Sequence, residues 1–137
     1  MDFGLFFLMQ RDEAWSEQAV YDSALEQALA AEPLGYRSVW IAEHHFNDYG
    51  LCPAPPVLAA FVAARTRALR LGMGVSLLPL HHPVDLAEQL AVLDATGYQR
   101  VLLLMALPGL DTGLALRSMR LFAEHVAPAL TPVAHIA

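Results

Sequence analysis

Ser38-Val39-Trp40-Ile41-Ala42-Glu43-His44-His45-Phe46 sets the reading of this chain. Its first five residues, Ser38–Ala42, read as a short buried strand, because branched and aromatic side chains suit a pleated, covered surface. The strand runs straight into a carboxylate and two histidines, which makes Glu43–Gly50 a polar loop at its carboxyl end. Upstream, Pro33 and Gly35 stop a helix that Ser16 caps and that extends to about Glu32, with Glu17 in its first turn and Ala24, Ala28 and Ala31 able to face a core. Before that helix, Phe3–Leu8 is a continuous apolar run, the pattern of a buried parallel strand.

Working downstream, Pro53, Pro55 and Pro56 open a helix from about Val57 to Arg67, with Leu58, Phe61 and Val62 on its buried side. Leu69–Leu78 is a third strand, and it contains Gly72 and Gly74, a mark of close backbone approach or unusual peptide geometry. Pro79 and Pro83 bracket a loop carrying His81 and His82. A helix follows from about Val84 to Leu93, with Val84, Ala87, Leu90 and Ala91 inward, and Gly97 breaks it. Val101–Met105 is a fourth strand and Pro108–Gly113 a loop. Leu114–Val126 is a last amphipathic helix, with Leu114, Met119, Leu121, Phe122 and Val126 inward and Pro128 at its end. Thr131–Ala137 reads as a loose tail.

The sum is β-α-β-α-β-α-β-α, an α/β chain with a parallel sheet under covering helices. Four such units make half of a (β/α)8 barrel, which takes about 250 residues. The expectation is therefore a shortened TIM-barrel-like (β/α)4 unit, one domain over residues 1–130, completed by dimerisation. Composition points the same way. Apolar residues make up 56% of the 137 and mean hydropathy is +0.41, above the soluble average, with few charges to cover the surface.

Several function classes drop out. The net charge is −6 and every basic residue is arginine; the arginines do not cluster with aromatics, which argues against nucleic acid. No apolar run approaches the ~20 residues of a membrane span. Met1–Gly4 reads as the start of a strand and not as a signal peptide. A single cysteine, Cys52, excludes an internal disulfide framework and a multi-cysteine zinc site, and a reducing cytoplasm is the simplest home. No HExxH, GxGxxG or P-loop pattern appears.

The polar groups gather where strands end, the rim on which parallel α/β folds bind ligands. Glu43, His44 and His45 follow strand two, and His81 and His82 follow strand three. Gln10 and Arg11, then Asp111 and Thr112, share that rim. A histidine pair beside Glu43 offers a base and an orienting carboxylate near neutral pH. Adjacent residues point in different directions, so one member of each pair is expected to face a pocket and the other to be structural.

These residues resemble the bacterial luciferase-like monooxygenase family. Trp40–Phe46 with Tyr49-Gly50 is similar to its second-strand signature. Leu71–Pro79 followed by His82-Pro83-Val84 resembles its third strand and loop, and Ala115–Leu130 its final helix. The resemblance implies a (β/α)8 barrel that uses reduced flavin, FMN or the deazaflavin F420. It implies a catalytic role for His44, with His45 and Glu43 beside it. It implies cofactor contacts at Gly74, Val75 and Ser76, where Gly74–Val75 matches the place of a non-prolyl cis peptide, and substrate contacts at Gln10, Phe46 and His82. No metal is implied. The match breaks near Leu93–Asp94 and resumes near Thr96–Gly97, so the middle of the family barrel is absent, together with much of the flavin phosphate site.

Three functions remain open on the sequence. One is a flavin-dependent oxygenase of a small, hydrophobic or polyketide-like substrate in specialised metabolism. Another is an enzyme without a cofactor on the same scaffold: a cyclase, isomerase or cofactorless oxygenase. The third is a non-catalytic subunit that completes another barrel. A homodimer or higher homo-oligomer is expected for the first two.

Overall fold

The computed structural model describes residues 1–95, 100–104 and 111–130. Its elements alternate as the sequence implies. They are β1 (Gly4–Phe7), α1 (Glu17–Ala31), β2 (Ser38–Ile41), α2 (Pro55–Ala63), β3 (Arg70–Leu77), α3 (Pro83–Ala95), β4 (Arg100–Leu104) and α4 (Thr112–Leu121). A 3-10 turn, Leu78–Leu80, joins β3 to α3, and a π turn, Phe122–Val126, carries α4 into a short α5 (Ala127–Leu130). The four strands lie in the order β1-β2-β3-β4, all parallel. This is the (β/α)4 arrangement expected.

Strand parity decides the two faces of the sheet. Val39 and Ile41 of β2, and Leu71 and Met73 of β3, are buried. They share one core with Val20, Ala24, Ala28 and Ala31 of α1, Ala59 and Val62 of α2, and Leu86, Leu90 and Leu93 of α3. The small alanines of α1 let that helix sit close on the sheet. The opposite face carries Phe6, which is 55% exposed, and the half-buried Trp40. Trp40 lies flat over Gly72, where a Cβ would stand 2.3 Å from its ring. No described helix covers this aromatic face, which would be the lumen side of a closed barrel.

Local chemistry sets the helix ends. The Ser16 hydroxyl accepts the Ala19 N–H at 3.2 Å, and the Asp111 carboxylate accepts that of Leu114 at 3.2 Å, each satisfying an otherwise orphaned donor. Gly35 follows α1 at φ 87°, a left-handed turn that glycine adopts without cost. Glu32 at the end of α1 accepts the backbone N–H of Arg67 at 2.9 Å and of Ala68 at 3.0 Å, pinning the approach to β3.

Three inward faces differ from expectation. α2 starts at Pro55, since neither first-turn proline needs an N–H, and buries Pro55, Pro56, Ala59 and Val62. Phe61 faces out, with the Arg65 guanidinium 3.7 Å above its ring. α3 buries Leu86, Leu90 and Leu93, while Val84 is exposed. On α4, Ala115 is buried and Leu114, Met119 and Leu121 are exposed. Pro128 does not end the last helix. Proline lacks the N–H of the regular ladder, and the ladder shifts register in the π turn just before it. Gly97, Met105, residues 108–110 of the Pro108–Gly113 loop and the Thr131–Ala137 tail lie outside the described residues.

Candidate functional site

Glu43 is the anchor of the rim. It lies two residues beyond β2 and is 2% exposed, a position at which an unpaired carboxylate would be costly. Three donors satisfy it. The Nε2 atoms of His45 and His81 each lie 2.8 Å from Oε1, and the Leu77 N–H donates to Oε2 at 3.0 Å. A carboxylate in its ionised form only accepts, and each imidazole meets it as a donor when its Nε2 carries the proton. The cluster ties the end of β2 to the end of β3 and to the turn before α3.

His44 points elsewhere. Its backbone N–H donates to the Cys52 carbonyl at 2.9 Å. Its ring meets Tyr49 edge-on, 5.2 Å between centroids. Gly50 packs under it so closely that a Cβ there would be 2.4 Å from His44 Cδ2 and 2.7 Å from the Leu8 carbonyl oxygen. Neither ring nitrogen of His44 is hydrogen-bonded to a described residue. The imidazole lines a groove of about 430 Å³ with Tyr21, His45, Leu51 and Pro53. Asn47 shapes this loop by donating to the His45 carbonyl at 2.9 Å and accepting the Gly50 N–H at 3.1 Å.

The remaining residues singled out from sequence divide. The Gly74–Val75 peptide is cis, and Val75 is the extra residue where the β3–β4 register skips between Gly74 and Ser76. A Cβ at Gly74 would stand 3.1 Å from the Phe6 ring, so this stretch lies against the open aromatic face. Ser76 is buried and donates to Met73 Sδ at 3.1 Å. Gln10 is exposed at the rim. Phe46 is fully exposed, with φ 53°. His82 is exposed and 4.0 Å from Asp85, outside the Glu43 cluster. Its neighbour His81 occupies that place. The 3-10 turn at Leu78–Leu80 breaks strand parity, so the spacing after β3 does not show which histidine turns inward. Glu43 therefore orients His45 and His81, and the base-plus-carboxylate pairing does not include His44.

Burial pushes the Cys52 thiol up to about 11, reinforced by the charge of Glu43 and partly offset by a hydrogen bond from the Ala54 backbone. Among the described residues, no group of His, Cys, Asp and Glu is arranged to hold a metal ion. No described helix is long and apolar enough to cross a membrane.

Comparison with known proteins adds a lineage to this geometry. The profile of the luciferase-like monooxygenases matches residues 1–106. The alkanal monooxygenase alpha chain of Photorhabdus laumondii is 34% identical over 94 residues, 69% of this chain and 26% of that protein. The oxygenase component of the flavin-dependent trigonelline monooxygenase of Acinetobacter baylyi is 29% identical over 131 residues, 95% of this chain and 34% of that protein. Among solved structures, the oxygenating constituent of 3,6-diketocamphane monooxygenase from Pseudomonas putida, in complex with FMN, superimposes with a TM-score of 0.76 at 23% identity. That match covers 88% of this chain and 39% of that one. The chain thus spans about a quarter to a third of the length of the curated relatives it matches.

Proposed function

The chain belongs to the luciferase-like monooxygenase family, and we propose that it acts as a reduced-flavin-dependent oxygenase of a small hydrophobic or polyketide-like molecule, in specialised metabolism in the cytoplasm. The observation that carries this reading is His44: an imidazole fixed by Gly50 and Tyr49, with both nitrogens free to meet a ligand in the groove.

The ring of a flavin fits the residues present. Gly74 and Val75 offer bare backbone beside the aromatic wall of Phe6 and Trp40, a surface suited to stacking. Gly74, Val75 and Ser76 would hold it, as FMN or as F420. When bound, reduced flavin supplies the electrons with which dioxygen is activated. The chain's own part is to seat the substrate in the groove beside Tyr21, Leu51 and Pro53 and to move a proton at the reacting substrate atom through the His44 imidazole, a contribution of about 10²–10⁴-fold. His45 and His81, held on Glu43, keep the rim in place around it.

The phosphate end finds less. Arg11 at the same rim is already paired with Asp48 at 2.8 Å. That favours one addition. A second copy supplies the missing half: two four-strand sheets pair about a twofold axis into an eight-strand assembly, and residues 1–130 act as one half-barrel unit. The competing reading is an enzyme without a cofactor on this scaffold, which needs no phosphate anchor at all.

One experiment separates them. Purified protein is titrated anaerobically with reduced FMN, then exposed to dioxygen with a panel of aromatic and polyketide substrates. The flavin reading expects saturable binding, and His44→Ala that keeps binding within about twofold while slowing product formation by about 10²–10⁴-fold. Substrate turnover with no bound flavin overturns it in favour of the cofactor-free enzyme.

A further inference from the structure

We propose that the cavity between α3 and the last helix is a second ligand site, for a small anion with an apolar body such as an aryl-alkyl carboxylate. It is a half-open pocket of about 320 Å³, within the range of small-molecule pockets. Leu78, Leu86, Leu121 and Phe122 line it, and its polar groups include Arg117 of α4 and His81. It is separate from the His44 groove, with which it shares no residue.

Charge selects the ligand. No acidic side chain lines the cavity, and Arg117 makes no ion pair with a described residue. A guanidinium stays protonated at any physiological pH and presents a planar fork that matches a carboxylate. Arg117 is exposed, so water competes for that pairing, and the apolar walls add their own share of the affinity. The leucine and phenylalanine side chains take up the apolar body. A neutral ligand would gain nothing from Arg117, which stays hydrated, and a cation would be repelled by it.

His81 gives the site a second consequence. Its Nε2 is engaged by Glu43 at 2.8 Å, and the same Oε1 holds His45. A ligand in the cavity therefore touches the imidazole that shares Glu43 with the rim. Occupancy is reported one carboxylate away, at His45, next to His44.

The test uses the whole chain, without flavin, so it is independent of the redox reading. Calorimetric titration compares 4-phenylbutyrate with 4-phenylbutanol, a matched acid and alcohol. The acid is expected to bind at least about tenfold more tightly. Arg117→Met, which keeps the apolar stem, is expected to weaken the acid about tenfold and leave the alcohol unchanged. Imidazole resonances of both His81 and His45 are expected to shift on adding the acid. Equal binding of the acid to Arg117→Met, no binding of the acid, or resonances of His81 that do not move would each overturn the proposal. A self-associated chain that shuts the acid out would also overturn it and would make a second copy the occupant.

Discussion

Glu43 concentrates the energetics of the rim in one side chain. It is buried, yet it accepts from His45, His81 and the Leu77 N–H. Glu43→Gln keeps the shape and removes the charge; its NH₂ would also face a donor it cannot pair with. The expected cost is about 1–3 kcal/mol, read by urea denaturation, with both imidazoles loosened together in NMR spectra. Cys52 makes a different prediction. Unfolded, its thiol ionises near 9.0; folded, burial holds the proton until about 11. The raised value favours the folded state while the thiol is protonated in both states. Between these values the unfolded chain has released its proton and the folded chain has not, so stability falls as pH rises across that window. Thermal unfolding from pH 8 to 11 should show a slope that Cys52→Ala reduces, whatever that variant does to stability at neutral pH.

Single elements show what sequence pattern resolves and where it stops. Each strand and helix was legible from apolar runs, caps and prolines, because those signals are local. Helix faces were less so. On α3, Val84-Ala87-Leu90-Ala91 and Leu86-Leu90-Leu93 are both apolar at helical spacing, and only contact with the sheet selects the second. On α2, Ala59 and Val62 face the sheet while Phe61 faces out, where Arg65 covers its ring. At the site, the rim position of Glu43, His44 and His45 followed from the strand end, but the partner of Glu43 did not. It comes from a residue 38 positions away, through a turn whose geometry the sequence does not display. The Glu43–Gly50 loop gives the sharpest test at this scale. Gly50→Ala would place a methyl group against His44 and against the Leu8 carbonyl. The expected loss is about 1–3 kcal/mol by chemical denaturation, with the His44 ring turned out of its edge-on contact with Tyr49. As a control for the core, Leu86→Ala should cost about 2–5 kcal/mol and leave that ring contact intact.

The whole molecule presents more apolar surface than a lone domain usually carries. Phe6 is exposed on the lumen side, and Leu114, Leu116, Met119 and Leu121 on α4. The expected outcome for the purified chain is a dimer by light scattering. Phe6→Glu should shift it toward monomer, because the charge would be buried in the closed lumen without a partner. A monomer of the unaltered chain at micromolar concentration would contradict the paired-barrel proposal. The parallel sheet has another consequence through its ends. β1 and β4 are its two outer strands, and they are unlike, so in the paired assembly proposed above the β4 edge of one copy would meet the β1 edge of the next, head to tail. Such a junction carries direction but no stop signal. Sheet curvature alone decides whether two copies close into a ring or further copies add on as a growing fibre, so a substitution that flattens β3 at its bulge would convert an enzyme-sized particle into a polymer.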